Sequence, residues 1–184
     1  MTAAVARVAG KEPGATDQRY VLLLGNPNAG KTPLFNGLCG ARARVGYFPG
    51  VTVERRSGAV QLPGGGRVDL VDVPGTYSLS ARSPEEAVAV EAMWGQASPR
   101  AVVVVVDATA MARGLYLALQ VHESGIPTLI GLNMSDEAKK MGLDIDAAAL
   151  EARSGIPVVE VAAVFRRAAR SCSPAVRTSS GLSR

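Results

Sequence analysis

The sequence has no run of about 18 consecutive apolar residues, so it offers no helical membrane span. Its opening stretch, MTAAVARVAGKEPGATDQRY, has no continuous apolar core of the kind a signal peptide needs. Residues 1–18 are expected to form a flexible leader. Cysteine is scarce. Cys39 and Cys172 lie far apart and neither belongs to a CxxC pair, which favours a reduced, cytoplasmic setting. A general basic excess is also missing. The formal net charge is +4, but five of the 20 basic residues fall within residues 161–184, which hold no acid. The other 15 stand against 16 acidic residues, so the main body lacks the footprint of a nucleic-acid binder, and no nucleic acid is expected as a partner.

What is present is the composition of one soluble globular domain: 184 residues, 47% hydrophobic and 20% charged. Strand and helix signals alternate along it. RYVLLL (19–24) is an apolar run that ends in a glycine loop, as a buried parallel strand would. TPLFNGLCG (32–40) reads as a helix ended by Gly40, with Pro33 in the first turn, where its missing N–H costs little. GAVQLPGGGRVDLVDV (58–73) reads as a hairpin about Pro63–Gly66. A helix over 83–96 is announced by Ser83 as cap, Pro84 after it and acids in the first turn. Further strands are expected at 101–107, 127–133 and 156–161, and further helices at 112–125 and 145–155. His122 and Trp94 lie on helices away from any motif; Trp94 reads as a packing residue. This alternation predicts a mostly parallel, six-stranded sheet covered on both faces, with a domain over 19–161. The Arg-, Ser- and Ala-rich stretch 162–184 shows little apolar periodicity and reads as a disordered tail.

The chemistry begins at GNPNAGKT (25–32), which follows a strand and opens a helix. Gly25 and Gly30 permit backbone angles that other residues resist, so the N–H groups of Asn26, Pro27-flanking Asn28 and Ala29 can surround a phosphate chain. Lys31 would neutralise that chain, and Thr32 would set its hydroxyl on Mg²⁺. DVPG (72–75) follows about forty residues later. Asp72 would hold the Mg²⁺ shell and Gly75 would offer its N–H to a γ-phosphate. In NMSD (133–136), Asp136 can accept from two donors on a guanine edge, Asn133 can brace the loop and the base, and Met134 between them is counted with the nucleotide-binding residues. Gly50, Val51 and Thr52 lie between the first helix and the hairpin, and Thr52 is placed to give a second hydroxyl to Mg²⁺. Residues 42–54 would then order around a triphosphate and loosen after hydrolysis.

The segments GNPNAGKTPLFN, VGYFPGVTVE, DVPGTYSLSARSPEE, DATAMARGLYLALQ and LNMSDEA resemble the cytoplasmic G domain of FeoB-type ferrous iron transporters. The resemblance covers about residues 20–161. It implies an α/β fold, a Ras-like P-loop GTPase domain, followed in the family by a helical domain and a membrane domain that carries the iron path. It also implies a K⁺ ion held by Asn28 beside the phosphates, in place of an arginine finger. The residues agree with that role: Thr76 and Tyr77 stand where Ras-like enzymes keep a water-orienting glutamine, so slow intrinsic hydrolysis is expected. Lys31, Asn28, Thr52 and Gly75 are thus the candidate catalytic residues, with Mg²⁺ and K⁺ as cofactors and GTP and GDP as ligands. Pro33 replaces the family's usual small hydroxyl residue. The last guanine loop reads Ala162-Ala163-Val164 and lacks its glycine, and the final helix is expected to be missing or altered, as after a frameshift or truncation. An RNA- or ribosome-associated assembly GTPase would share PNxGK but usually carries Asn-Lys-x-Asp where this chain has Met134. A non-functional fragment is the third reading.

Overall fold

The computed structural model describes residues 20–40, 43–47, 54–62, 65–95 and 98–161. In chain order the strands and helices are β1 (Val21–Gly25), α1 (Lys31–Cys39), β2 (Ala43–Tyr47), β3 (Glu54–Gln61), β4 (Arg67–Asp72), α2 (Pro84–Trp94), β5 (Ala101–Asp107), α3 (Met111–Glu123), β6 (Thr128–Asn133), α4 (Ser135–Lys140), α5 (Ala147–Ser154) and β7 (Val158–Glu160). They build one seven-stranded sheet in the order β2-β3-β4-β1-β5-β6-β7. The five strands from β4 to β7 run parallel, while β2 and β3 join antiparallel at one edge.

The centre of the sheet follows from its composition. β1 and β5 are Leu- and Val-rich, carry almost no polar side chain, and are buried along nearly their whole length. Successive side chains point to opposite faces, so each strand feeds two cores. Leu22, Leu24, Val102, Val104, Ile130 and Leu132 pack under α2 and α3. Val21, Leu23, Val103, Val105 and Leu129 share the other core with Leu34 and Phe35 of α1. The carboxyl ends of β1, β4, β5 and β6 therefore open on the same side, where an α/β sheet places its ligands.

The helix signals act as expected. The Ser83 hydroxyl accepts from the Glu86 N–H at 3.2 Å, with Pro84 in the first turn of α2. Asp146 caps α5 by accepting from the N–H groups of Ala148 and Ala149, and Gly155 closes it with φ +69°. The expected hairpin is present, but β3 begins at Glu54 and not at 58. The turn residues Pro63 and Gly64 lie outside the described residues.

Two elements are additions to the sequence reading. The expected six strands are seven, because Ala43–Tyr47 pairs with β3 as an edge strand inside the stretch read as a switch. Its Val45 is 64% exposed, so this edge strand feeds no apolar side chain into the core there. The six-residue α4 starts from Met134 in the left-handed conformation (φ +59°), with acids in its first turn and lysines in its last. Trp94, read as a packing residue, is 49% exposed at the end of α2. Residues 1–18, the Gly50-Val51-Thr52 segment, the Ala162-Ala163 loop and the stretch 162–184, where the final helix is expected to be missing or altered, all lie outside the described residues.

Candidate functional site

The loop between β1 and α1 is held in shape by close backbone approaches. A Cβ on Gly25 (φ +151°) would lie 2.5 Å from the Val105 carbonyl oxygen of β5. Gly30 (φ +88°) leaves room for the Asn133 amide, which a Cβ there would overlap. Asn133 uses that space: its Nδ2 donates to the Ala29 carbonyl at 3.0 Å, so the end of β6 is tied to the phosphate loop across 104 residues of sequence. The bracing expected of Asn133 is therefore present, on the loop side.

Lys31 folds back over the loop. Its Nζ donates to the carbonyls of Gly25 (3.1 Å) and Asn26 (3.3 Å), and only 8% of the residue is exposed. Burial pushes the lysine down from its ordinary pKa, while Asp72 pulls it up. Asp72 ends β4 beside it, 6% exposed, and its Oδ1 makes no hydrogen bond among the described residues. Burial raises the Asp72 carboxyl to about 6, against the opposing charges of Lys31 and Arg56. A buried carboxylate oxygen without a donor is costly unless something cationic meets it. Asp72 shares a cleft of about 230 Å³ with Lys31, Thr32, Arg56, Val73, Pro74 and Gly75. Hard oxygen donors from a carboxylate and a hydroxyl, with space beside them, suit Mg²⁺. Sequence reasoning missed Arg56, which faces Asp72 across the β3–β4 register. Nothing in the sequence signals it, because the hairpin read there starts at residue 58 and β3 begins earlier, at Glu54.

Asn28 is exposed and left-handed, with φ +65°. Asparagine tolerates that conformation better than most residues, so the backbone alone gives one reason for its presence. Thr76, at the place of the absent glutamine, is buried, and its hydroxyl donates to the Ser78 carbonyl at 2.8 Å. Tyr77 points outward, 47% exposed, under the Arg113 guanidinium at 5.7 Å from the ring centroid. Beyond it, Glu86 receives the Ser78 hydroxyl (2.7 Å) and the Arg82 N–H (2.9 Å), and the Ser78 bond leads in holding its carboxyl below the usual range.

Asp136 lies exposed in the first turn of α4, just past Asn133 and the left-handed Met134. The phosphate loop, Asp72, Gly75 and the Asn133–Asp136 turn thus gather at the carboxyl ends of the parallel strands. The Pro27 and Pro33 side chains stay exposed. The neighbouring Ser135 hydroxyl is buried without a partner among the described residues, which the sequence did not suggest.

This arrangement is that of a Ras-like P-loop domain, and comparison with known proteins bears on it directly. The sequence model of the ferrous iron transport protein B family matches residues 19–174, beyond Val161, where the sequence reading saw the resemblance end. A fusion of Fe(2+) transport protein A with the Fe(2+) transporter FeoB from Porphyromonas gingivalis is 46% identical over 139 residues. That match takes in 76% of this chain and 16% of the relative. A crystal structure of a GDP-bound mutant of S. thermophilus NFeoB is 42% identical, with TM-score 0.70, over 83% of this chain and 62% of that one. The cytosolic domain of the T. maritima FeoB iron transporter in its GMPPNP form is 34% identical, with TM-score 0.72, over 85% and 65%. The chain spans less than a fifth of the length of the first curated relatives it matches, at 16–18%. In sequence and in fold, the chain belongs to the ferrous iron transport protein B family and corresponds to its N-terminal G domain.

Proposed function

We propose that this domain binds and hydrolyses GTP and serves as the regulatory part of a ferrous iron transport protein. The observation that carries the reading is the cleft at Asp72: a buried carboxylate oxygen with no hydrogen-bond partner among the described residues, in a cleft shared with Lys31, Thr32 and Gly75. The nucleotides named for the solved relatives, GDP and GMPPNP, fit the same assignment.

In this reading the loop N–H groups from Asn26 to Thr32, with Lys31, hold the β- and γ-phosphates. Thr32 and Asp72 hold Mg²⁺, joined by Thr52 when the triphosphate is bound; bound Mg²⁺ neutralises charge on the phosphates. Gly75 offers its N–H to the γ-phosphate. Asp136 accepts from the guanine edge, Met134 packs by the base, and the Ala162-Ala163 loop completes the pocket. Asn28 holds K⁺, which supplies the positive charge an arginine finger would otherwise bring. The buried hydroxyl of Thr76 and the outward ring of Tyr77 support this division of labour, since neither is placed to orient a water. Intrinsic turnover is therefore slow.

No helix among the described residues is long and apolar enough to cross a membrane. Iron passage is accordingly assigned to a membrane domain of the full-length relatives, with this domain on the cytoplasmic side as its GTP-dependent regulator. The test is phosphate release from GTP and ATP in Mg²⁺, with KCl or NaCl. GTP-selective release, faster in KCl, supports the proposal; release without nucleotide preference counts against it.

A further inference from the structure

Asn26 is the second residue of the phosphate loop, and its side chain is engaged by backbone groups of Thr76 and Gly114. Only one orientation of its amide gives both atoms complementary partners: Nδ2 donates to the Thr76 carbonyl at 3.0 Å, and Oδ1 accepts from the Gly114 N–H at 3.2 Å. The Thr76 N–H in turn donates to the Gly25 carbonyl at 3.1 Å. Both backbone polar groups of Thr76 are thus held by consecutive residues of the phosphate loop. Thr76 itself is 2% exposed, so no water competes freely for them.

The two partners of Asn26 are themselves fixed. Gly75, directly before Thr76, rests on the loop: a Cβ on it would lie 2.6 Å from the Pro27 nitrogen. Gly114, near the start of α3, is pressed on β5, where a Cβ would lie 2.8 Å from Val106 Cγ1. One amide therefore joins the phosphate loop, the segment after Asp72 and the first turns of α3.

We propose that Asn26 is a positioning residue that fixes the Gly75 N–H for the terminal phosphate, and so sets the preference for triphosphate over diphosphate. The inference rests on the nucleotide reading above. A diphosphate presents nothing to Gly75, so the amide should be indifferent to it. Without the amide, Thr76 keeps a single bond to the loop through Gly25, and the peptide before it can swing about that point.

The test uses the full 184-residue chain with Mg²⁺ and labelled GDP and GMPPNP, comparing the parent with Asn26→Ala and Asn26→Asp. Asp has the same shape and keeps the acceptor toward Gly114, but it sets a carboxylate oxygen against the Thr76 carbonyl. Both variants should weaken GMPPNP roughly tenfold, as expected for losing one or two neutral hydrogen bonds, and hold GDP within about threefold of the parent. Single-turnover hydrolysis should fall with the GMPPNP affinity. The inference is overturned if Asp restores the parent's ratio, if both variants keep it, or if GDP and GMPPNP weaken equally. A parent that binds neither nucleotide would instead sink the nucleotide reading, a failure visible before any variant is made.

Discussion

Gly75 and Pro27 touch so closely that a single added carbon would break their contact: a Cβ on Gly75 would lie 2.6 Å from the Pro27 nitrogen and 2.7 Å from its Cα. The residue assigned to sense a terminal phosphate is therefore seated on the loop assigned to bind the phosphate chain. Neither backbone can yield without moving the other. Gly75→Ala is expected to cut GTP hydrolysis at least tenfold and to cost about 1–3 kcal/mol of stability through overpacking. Denaturant unfolding and phosphate release, run on the same preparation, check both effects.

Asp136 carries the second prediction. A carboxylate accepting from the guanine edge makes charge-assisted bonds worth about 1.5–3 kcal/mol each. Asp136→Asn should weaken GTP by roughly tenfold or more and favour xanthosine triphosphate, whose base edge offers an oxygen where guanine has an amino group. Competition between the two triphosphates on the variant is the measurement. An unchanged preference would remove Asp136 from the base pocket.

The titration of Asp72 gives a third prediction, with a definite sign. Its carboxyl moves from an ordinary 3.8 up to about 6 in the fold, chiefly through burial. Between those values the unfolded chain has released the proton and the folded chain still holds it. Stability without nucleotide or metal should therefore fall as pH rises through that window, and level off above about 6. Asp72→Asn should remove this dependence and stabilise the ligand-free domain at neutral pH by about 1–3 kcal/mol. The same variant should lose the added stability that Mg²⁺ with GDP confers on the parent. Urea unfolding at pH 5 and 7.5, with and without Mg²⁺ and GDP, reads all three effects.

These residues also show how far the sequence could be read. The valines of β5 and the leucines of β1 have no plausible place except a buried parallel sheet, and they are there. Ser83 and Pro84 fixed the start of α2 because a cap is a local device. β2 escaped because it is a five-residue edge strand whose short alternation of Ala43 and Val45 with Arg44 and Gly46 feeds no core, Val45 being 64% exposed. α4 escaped because its left-handed Met134 entry has no signature in a residue that is neither Gly nor Asn. At the site, the motif residues were legible by spacing, but most of their cross-connections were not. The Asn133 brace on the loop was anticipated, but the Asn26–Thr76 and Arg56–Asp72 relations join residues of different strands and loops, and only the sheet order brings them together.

The ion assigned to Asn28 has its own test. The parent should hydrolyse GTP faster in KCl than in NaCl, and Asn28→Ala should abolish that difference. Its left-handed backbone offers an independent reason for asparagine, so Asn28→Gly is the informative control. Glycine keeps the loop conformation and lacks the side-chain oxygen. It should bind GDP like the parent yet lose the K⁺ effect; a glycine variant that keeps the effect would remove the ion from this residue.

The central claim, that this is a guanine-nucleotide domain, is tested most directly by calorimetric titration of the chain with GDP and with ADP in Mg²⁺. The account predicts saturable one-to-one binding of GDP, with ADP at least a hundredfold weaker, and loss of GDP binding in Lys31→Ala. Equal affinities for the two nucleotides, or no heat from GDP with a chain shown to be folded, would contradict it.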